Sequence, residues 1–191
     1  MSRLVFLLAL LVPTAAMAHP GHSGTAGFLA GVQHPLSGID HIAVALAVGL
    51  WAALKGGRAL WVWPAAFVAL MLVGAGLNLA HVALPFVEPG ILASVVVVGL
   101  MVAFAVDLPV WLGGVMLGAF ALFHGYAHVA EVPENASGFE FMLGFTLATA
   151  ALQGIGIASG KALTSARRQP LVRAAGAACA VLGVVLAVQV L

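Results

Sequence analysis

The sequence predicts an all-α integral membrane protein: a bundle of six transmembrane helices behind a cleaved export signal. Two observations predict it. Of 191 residues, 63% are hydrophobic and only 7% are charged, against roughly 25% charged in a soluble globular domain. Too little polar surface is left to cover a water-soluble particle. The apolar residues also fall in runs long enough to cross a bilayer, roughly 17 to 25 residues each.

The first element is the signal, residues 1–18. Arg3 gives a positive start, Leu4 to Val12 a short apolar stretch, and Ala16-Met17-Ala18 a small-x-small cleavage pattern. Retention as a seventh helix is the weaker reading, because the apolar core is short and ends at Pro13. Cleavage after Ala18 leaves His19 as the mature N-terminus, outside the cytoplasm. Residues 19–34 form an extracytoplasmic tail. Within it, Thr25 to Gln33 is apolar but too short to span, and suits an interfacial segment or one folded back on the bundle. Residues 35–191 form the membrane domain. Pro35 can open its first helix, where a missing N–H costs nothing. The six spans run at about Pro35–Leu54, Ala59–Leu84, Gly90–Val106, Pro109–Ala130, Phe139–Ala158 and Leu171–Leu191. Each is apolar all round, so its backbone hydrogen bonds must close within the helix.

Charge sets the orientation. Every Lys or Arg after the signal lies at one of two linkers: Lys55 and Arg58 after the first span, and Lys161, Arg167, Arg168 and Arg173 around the fifth linker. Six spans put both on one side, which the positive-inside rule makes cytoplasmic. The opposite linkers carry Glu88, Glu131, Glu134 and Glu140 and no Lys or Arg. Signal cleavage separately places the mature N-terminus outside. The expected location is the bacterial inner membrane, with both mature termini extracytoplasmic.

Several function classes drop out. There is no basic patch with interleaved aromatics for nucleic acid, and no P-loop for a nucleotide. Cys179 is the single cysteine, which excludes an intrachain disulfide and a CxxC site, and it reads as a packing residue. Gly114, Gly118, Ala121 and Gly125 share a face of the fourth span, where small residues let a neighbouring helix approach. A homo-oligomer is compatible with the sequence but not specified by it.

The seven histidines are few but not scattered. In the orientation above, His34, Asp40 and His41 lie at the outer end of the first span, and His81 near the outer end of the second. His124, His128 and Glu131 lie at the outer end of the fourth, and His19 and His22 sit on the tail. His124, His128 and Glu131 have the i, i+4, i+7 spacing of one helix face, with Gly118 and Gly125 beside them. Gly74, Asn78 and His81 repeat that spacing, as do His34, Gly38 and His41 if the first helix reaches back that far. Asp40 points about 100° away from His41 and is not assumed to share its ligand. An ionisable side chain at mid-bilayer costs about 2.5 to 3.5 kcal/mol on insertion scales, less near the interface. Any one histidine here is equally well a hydrogen-bonded packing residue; the set together is what argues for a site. Imidazole plus carboxylate, without thiolate, suits divalent Ni, Co, Zn or Mn. On the tail, the His19 amine and imidazole form a chelate for Ni²⁺ or Cu²⁺ to which His22 could add a nitrogen. Pro20 supplies no amide N–H. An unstructured tail with incidental histidines accounts for these residues equally well.

The motifs also carry a resemblance. His34-Pro35-Leu36-Ser37-Gly38-Ile39-Asp40-His41 resembles the HPxxGxDH signature of the HupE/UreJ family, and Phe123-His124-Gly125-Tyr126-Ala127-His128-Val129-Ala130-Glu131 resembles its FHGxAHxxE signature. The likeness covers nearly the whole mature chain. It implies a secondary permease for nickel, with cobalt as the other candidate, serving hydrogenase or urease maturation. It maps the motif residues onto His34, Asp40, His41, His124, His128 and Glu131; His19, His22 and His81, outside the motifs, are lesser metal candidates from their placement alone. Gly38, Asn78, Gly118 and Gly125 are then packing residues beside the site. No resident cofactor is expected, the ion being cargo. The alternatives are a membrane-embedded zinc hydrolase, for which HExxH and a nucleophile motif are lacking, a haem-binding electron carrier, and an accessory subunit without transport.

Overall fold

A backbone surrounded by apolar side chains closes its hydrogen bonds within helices, and the computed structural model is built in that way. It describes residues 23–132 and 137–190, and among these there is no strand. The helices are α1 (Ser23–Ser37), α2 (Ile39–Lys55), α3 (Ala59–Leu79), α4 (Val87–Ala103), α5 (Val110–Val129), α6 (Gly138–Ser165) and α7 (Gln169–Val190). Four of them, α3, α5, α6 and α7, are long and apolar enough to cross a membrane. The pair α1 and α2, bent by 80° at the break between them, makes a fifth candidate, and α4 is apolar but only 17 residues long. The export signal, its cleavage pattern, His19, His22 and Glu134 lie outside the described residues.

The expected start of the first span is corrected. Pro35 does not open α2; it lies in the last turn of α1. The break comes three residues later at Gly38, whose backbone is extended (φ −86°, ψ 112°) and whose carbonyl accepts the Ile42 N–H. Proline withholds one helical hydrogen bond and ends the run, and α2 restarts in a new direction. The segment Thr25 to Gln33 is therefore part of a helix folded back on the bundle. Its seat on α6 is reciprocal: a Cβ on Gly31 would strike the Phe141 carbonyl, and one on Gly144 the Phe28 carbonyl. Two other bounds also move. The second span stops at Leu79 rather than Leu84, and α6 runs to Ser165, two turns past Ala158.

The most extensive pairings are α3 with α5, α2 with α6, α4 with α7, and α1 with α6. Glycines set most of these contacts. Gly49 of α2 lies against the Gln153 carbonyl, and Gly156 of α6 against the Leu46 carbonyl. One end of the bundle gathers cations. Lys55 pairs with Asp107, Arg173 donates to the Ala103 carbonyl (2.7 Å), and the Trp51 and Trp63 indoles donate to the Val106 and Val110 carbonyls (2.8 Å each). The opposite end holds the histidines. Between them lies a core of Trp51, Trp63, Phe67, Met71, Val95, Val98, Leu117 and Phe145. Cys179 is buried as a packing residue, its thiol 3.5 Å from the Val95 carbonyl.

Candidate metal centre

Two helices deliver the three histidines of the site. The His41 ring comes from the first turn of α2, and His124 and His128 come from successive turns of α5, one above the other as i and i+4 residues must be. Met71 of α3 can lie directly behind α5 because Gly125, between the two histidines, has no Cβ to hold it off. His41 and His124 are fully buried and His128 is 8% exposed. One ring nitrogen from each lies within 4.8 Å of the other two. Two nitrogens on one ion, each at about 2.1 Å, stand at most about 4.2 Å apart, so the rings need only a small inward movement to bind.

The hydrogen bonds leave the right atoms free. The Ser94 hydroxyl has one proton and gives it to the Ile91 carbonyl (2.6 Å), so it accepts from His124 Nε2 (2.8 Å). That fixes the His124 tautomer and leaves Nδ1 as a bare lone pair. At His128, Nδ1 stands 3.2 Å from Glu131 Oε2, a carboxylate that accepts its proton and leaves Nε2 bare. His41 shares a 2.9 Å hydrogen bond with the Thr149 hydroxyl through Nε2, and its Nδ1 has no partner. His124 Nδ1 and His128 Nε2 are likewise buried without partners. Three orphaned imidazole nitrogens in an apolar interior are costly unless something binds them. Each ring is also braced through its other nitrogen, which is how metal-binding histidines are oriented and made more basic. Phe145 closes one side, its ring 4.8 Å from both His41 and His128, and Phe67 packs on His124 at 5.8 Å.

A second group sits on the outer side of the first and shares His128. His34 Nε2 is 2.6 Å from Glu131 Oε2 and 2.9 Å from His128 Nδ1. These three residues again place one ligand atom each within 4.8 Å of the others. Side-chain exposure falls from 53% at Glu131 to 26% at His34 and 11% at His128, and the other two residues of the inner group, His41 and His124, are fully buried. His34 reaches this group from the last turn of α1, across the break at Gly38. His34 and His41 therefore converge on His128 from two different helices rather than from one continuous face.

Other expected residues lie elsewhere. Asp40 is half-buried in the first turn of α2 and belongs to neither group. His81 is exposed in a left-handed turn (φ 56°) just past the end of α3, so it does not continue the face of Gly74 and Asn78. Asn78 donates to the Tyr126 carbonyl (3.0 Å) and ties α3 to α5. Gly118 faces the Leu70 side chain. Two residues of the site, Ser94 and Thr149, were not singled out from the sequence; Ser94 is the one hydroxyl of its span, while Thr149 shares its span with Thr146. Replacing Ser94 with alanine is expected to weaken divalent-metal affinity about 10-fold or more, because His124 loses its fixed tautomer. Equilibrium dialysis of the detergent-solubilised protein measures it, and unchanged affinity would free Ser94 of that role.

The chain matches the protein family described as HupE / UreJ protein over residues 7–186. It is 41% identical over 182 residues to Protein HupE of Rhizobium leguminosarum bv. viciae, covering 95% of each chain. No solved structure matches it.

Proposed function

Because the chain belongs to the HupE/UreJ family, we propose that it is a secondary permease for divalent transition-metal ions. Ni²⁺ is the leading cargo and Co²⁺ the second, and the protein supplies the maturation of a nickel enzyme such as hydrogenase or urease. The observation that carries the reading is the pair of ligand groups sharing His128, graded from an exposed carboxylate to two fully buried imidazoles. Such a gradient suits stepwise capture. The ion meets the Glu131 charge first, exchanges some water for His34 and His128, and gives up more on reaching His41 and His124. Imidazoles with a carboxylate, and no thiolate, fit the borderline divalent ions.

The membrane arrangement proposed is six spans, α2 to α7, with α1 folded back. At 17 residues, α2 and α4 are each about 25 Å long, at the short end of what a bilayer accepts. The cationic end carries Lys55, Arg58, Lys161, Arg167, Arg168 and Arg173 and faces the cytoplasm. Exposed Trp61 and Trp111 near that end suit the headgroup level. The histidine end then faces outward, as capture from the extracytoplasmic side requires, in the inner membrane of a bacterium. A membrane potential of 100 mV, negative inside, favours inward movement of a divalent cation by about 4.6 kcal/mol. That is enough for uptake without a nucleotide.

The test is uptake of radioactive Ni²⁺ into proteoliposomes holding the purified chain, under an imposed inside-negative potential, with Co²⁺, Zn²⁺ and Mn²⁺ in competition. Saturable uptake inhibited most strongly by Co²⁺ is expected. Stoichiometric metal binding with no uptake would replace the permease reading with an accessory role, and binding of zinc alone would favour the hydrolase alternative.

A further inference from the structure

Beyond the histidines, α6 carries a buried amide that neither ligand group uses. Gln153 is 1% exposed, and both its Oε1 and its Nε2 lack a hydrogen-bond partner. An amide with neither end satisfied is disfavoured in any protein interior, and more so in a bilayer where no bulk water reaches it. Gln153 follows Thr149 by four residues, so the two share one face of α6, and Thr149 is the residue that braces His41. Long side chains on a helix cover the turn on the N-terminal side of their own Cα, which here is the turn of Thr149. The α2 backbone comes close at this level, with Gly49 against the main-chain carbonyl of Gln153.

We propose that Gln153 forms a further cation station beyond the two ligand groups, about one helical turn inward of the histidine cluster, where its amide oxygen takes the divalent ion or a water of its shell as it leaves His41. The step is one of ligand exchange, with no bond made or broken apart from those to the ion and its water. It lies on the cytoplasmic side of the imidazoles, where an ion released by nitrogen ligands needs a weaker oxygen ligand to move on. Gln153 therefore governs the rate of passage rather than the affinity of capture. This inference rests on the permease reading above.

Gln153→Leu and Gln153→Glu, each in the full chain, separate the outcomes. Equilibrium dialysis with radioactive Ni²⁺ should give an affinity for Gln153→Leu within about twofold of wild type, while its maximal uptake rate in proteoliposomes falls about tenfold, the scale on which residues supporting a metal site act. Gln153→Glu keeps an oxygen at the same reach and should retain most of the uptake rate. Wild-type uptake by Gln153→Leu would overturn the station and leave the permease reading intact. Equal loss of uptake in both variants would overturn it in favour of a packing role. Absence of nickel binding and uptake in the wild-type chain would overturn both readings.

Discussion

Replacing His124 with phenylalanine is expected to cut inward Ni²⁺ transport at least about 100-fold, because on the proposed reading it removes a direct ligand, whose loss should equal or exceed the 10- to 100-fold seen for outer residues that only support one. His124 is fully buried, with Nδ1 free and Nε2 held by Ser94. Phenylalanine keeps a ring of similar size against Phe67 and removes both nitrogens. A loss of transport then cannot be assigned to an empty cavity, which in an alanine variant would itself destabilise by about 3 to 5 kcal/mol. His41→Phe should do the same from the other side of the ion. Glu131→Gln differs in kind. The residue is half exposed and keeps its shape as an amide, but His128 loses a charged acceptor for Nδ1. Uptake by Glu131→Gln should fall mainly at low nickel concentration, as a raised KM. Transport by both phenylalanine variants at wild-type rates, with normal membrane insertion, would remove the three-histidine group from the mechanism.

The helices were legible because the evidence for them is local. An apolar run bounded by polar residues specifies a buried helix from its own composition, and α2 to α7 each overlap one of the expected runs, with ends that shift by up to two turns. The His124, His128 and Glu131 spacing was legible for the same reason, since a helix repeats every 3.6 residues wherever it sits. The break at Gly38 was harder. A proline reads alike in the first turn of one helix and the last turn of another, and what decides between them here is the seat of α1 on α6, a contact between Gly31 and Phe141 that lies 110 positions away in the chain. His81 was misplaced on the face of Gly74 and Asn78 because α3 stops at Leu79, and nothing in the apolar residues beyond it marks that end. The hydroxyls behind the ligands were missed because serine and threonine are ordinary in membrane helices. Ser94 had isolation as a signal, standing alone just before a run of valines, but Thr149 follows Thr146 by three residues and had none.

The second large effect should come from a residue that has no side chain. Gly125 of α5 faces the Met71 carbonyl of α3, and Gly74 of α3 faces the Leu122 carbonyl of α5. The pairs 71 with 125 and 74 with 122 are the antiparallel register of two backbones in direct contact. A Cβ at either glycine meets backbone, which cannot turn aside as a flexible side chain can, so the helices must part. Overpacking of this kind costs about 1 to 3 kcal/mol in ordinary cores and more where nothing yields. Gly125→Ala should reach the upper end of that range or exceed it, lowering thermal stability in detergent. It should also lose metal affinity, because the displaced turn carries His124 on one side and His128 three residues on. Gly74→Ala should destabilise similarly, and the double variant by less than the sum, since one separation of the helices relieves both collisions. Gly76→Ala is the control. Its added Cβ would meet nothing within 4 Å, and alanine is favoured over glycine in a helix interior by roughly 0.5 to 1 kcal/mol. If Gly125→Ala proved as benign as Gly76→Ala, the close contact of α3 and α5 would not be what positions the histidines.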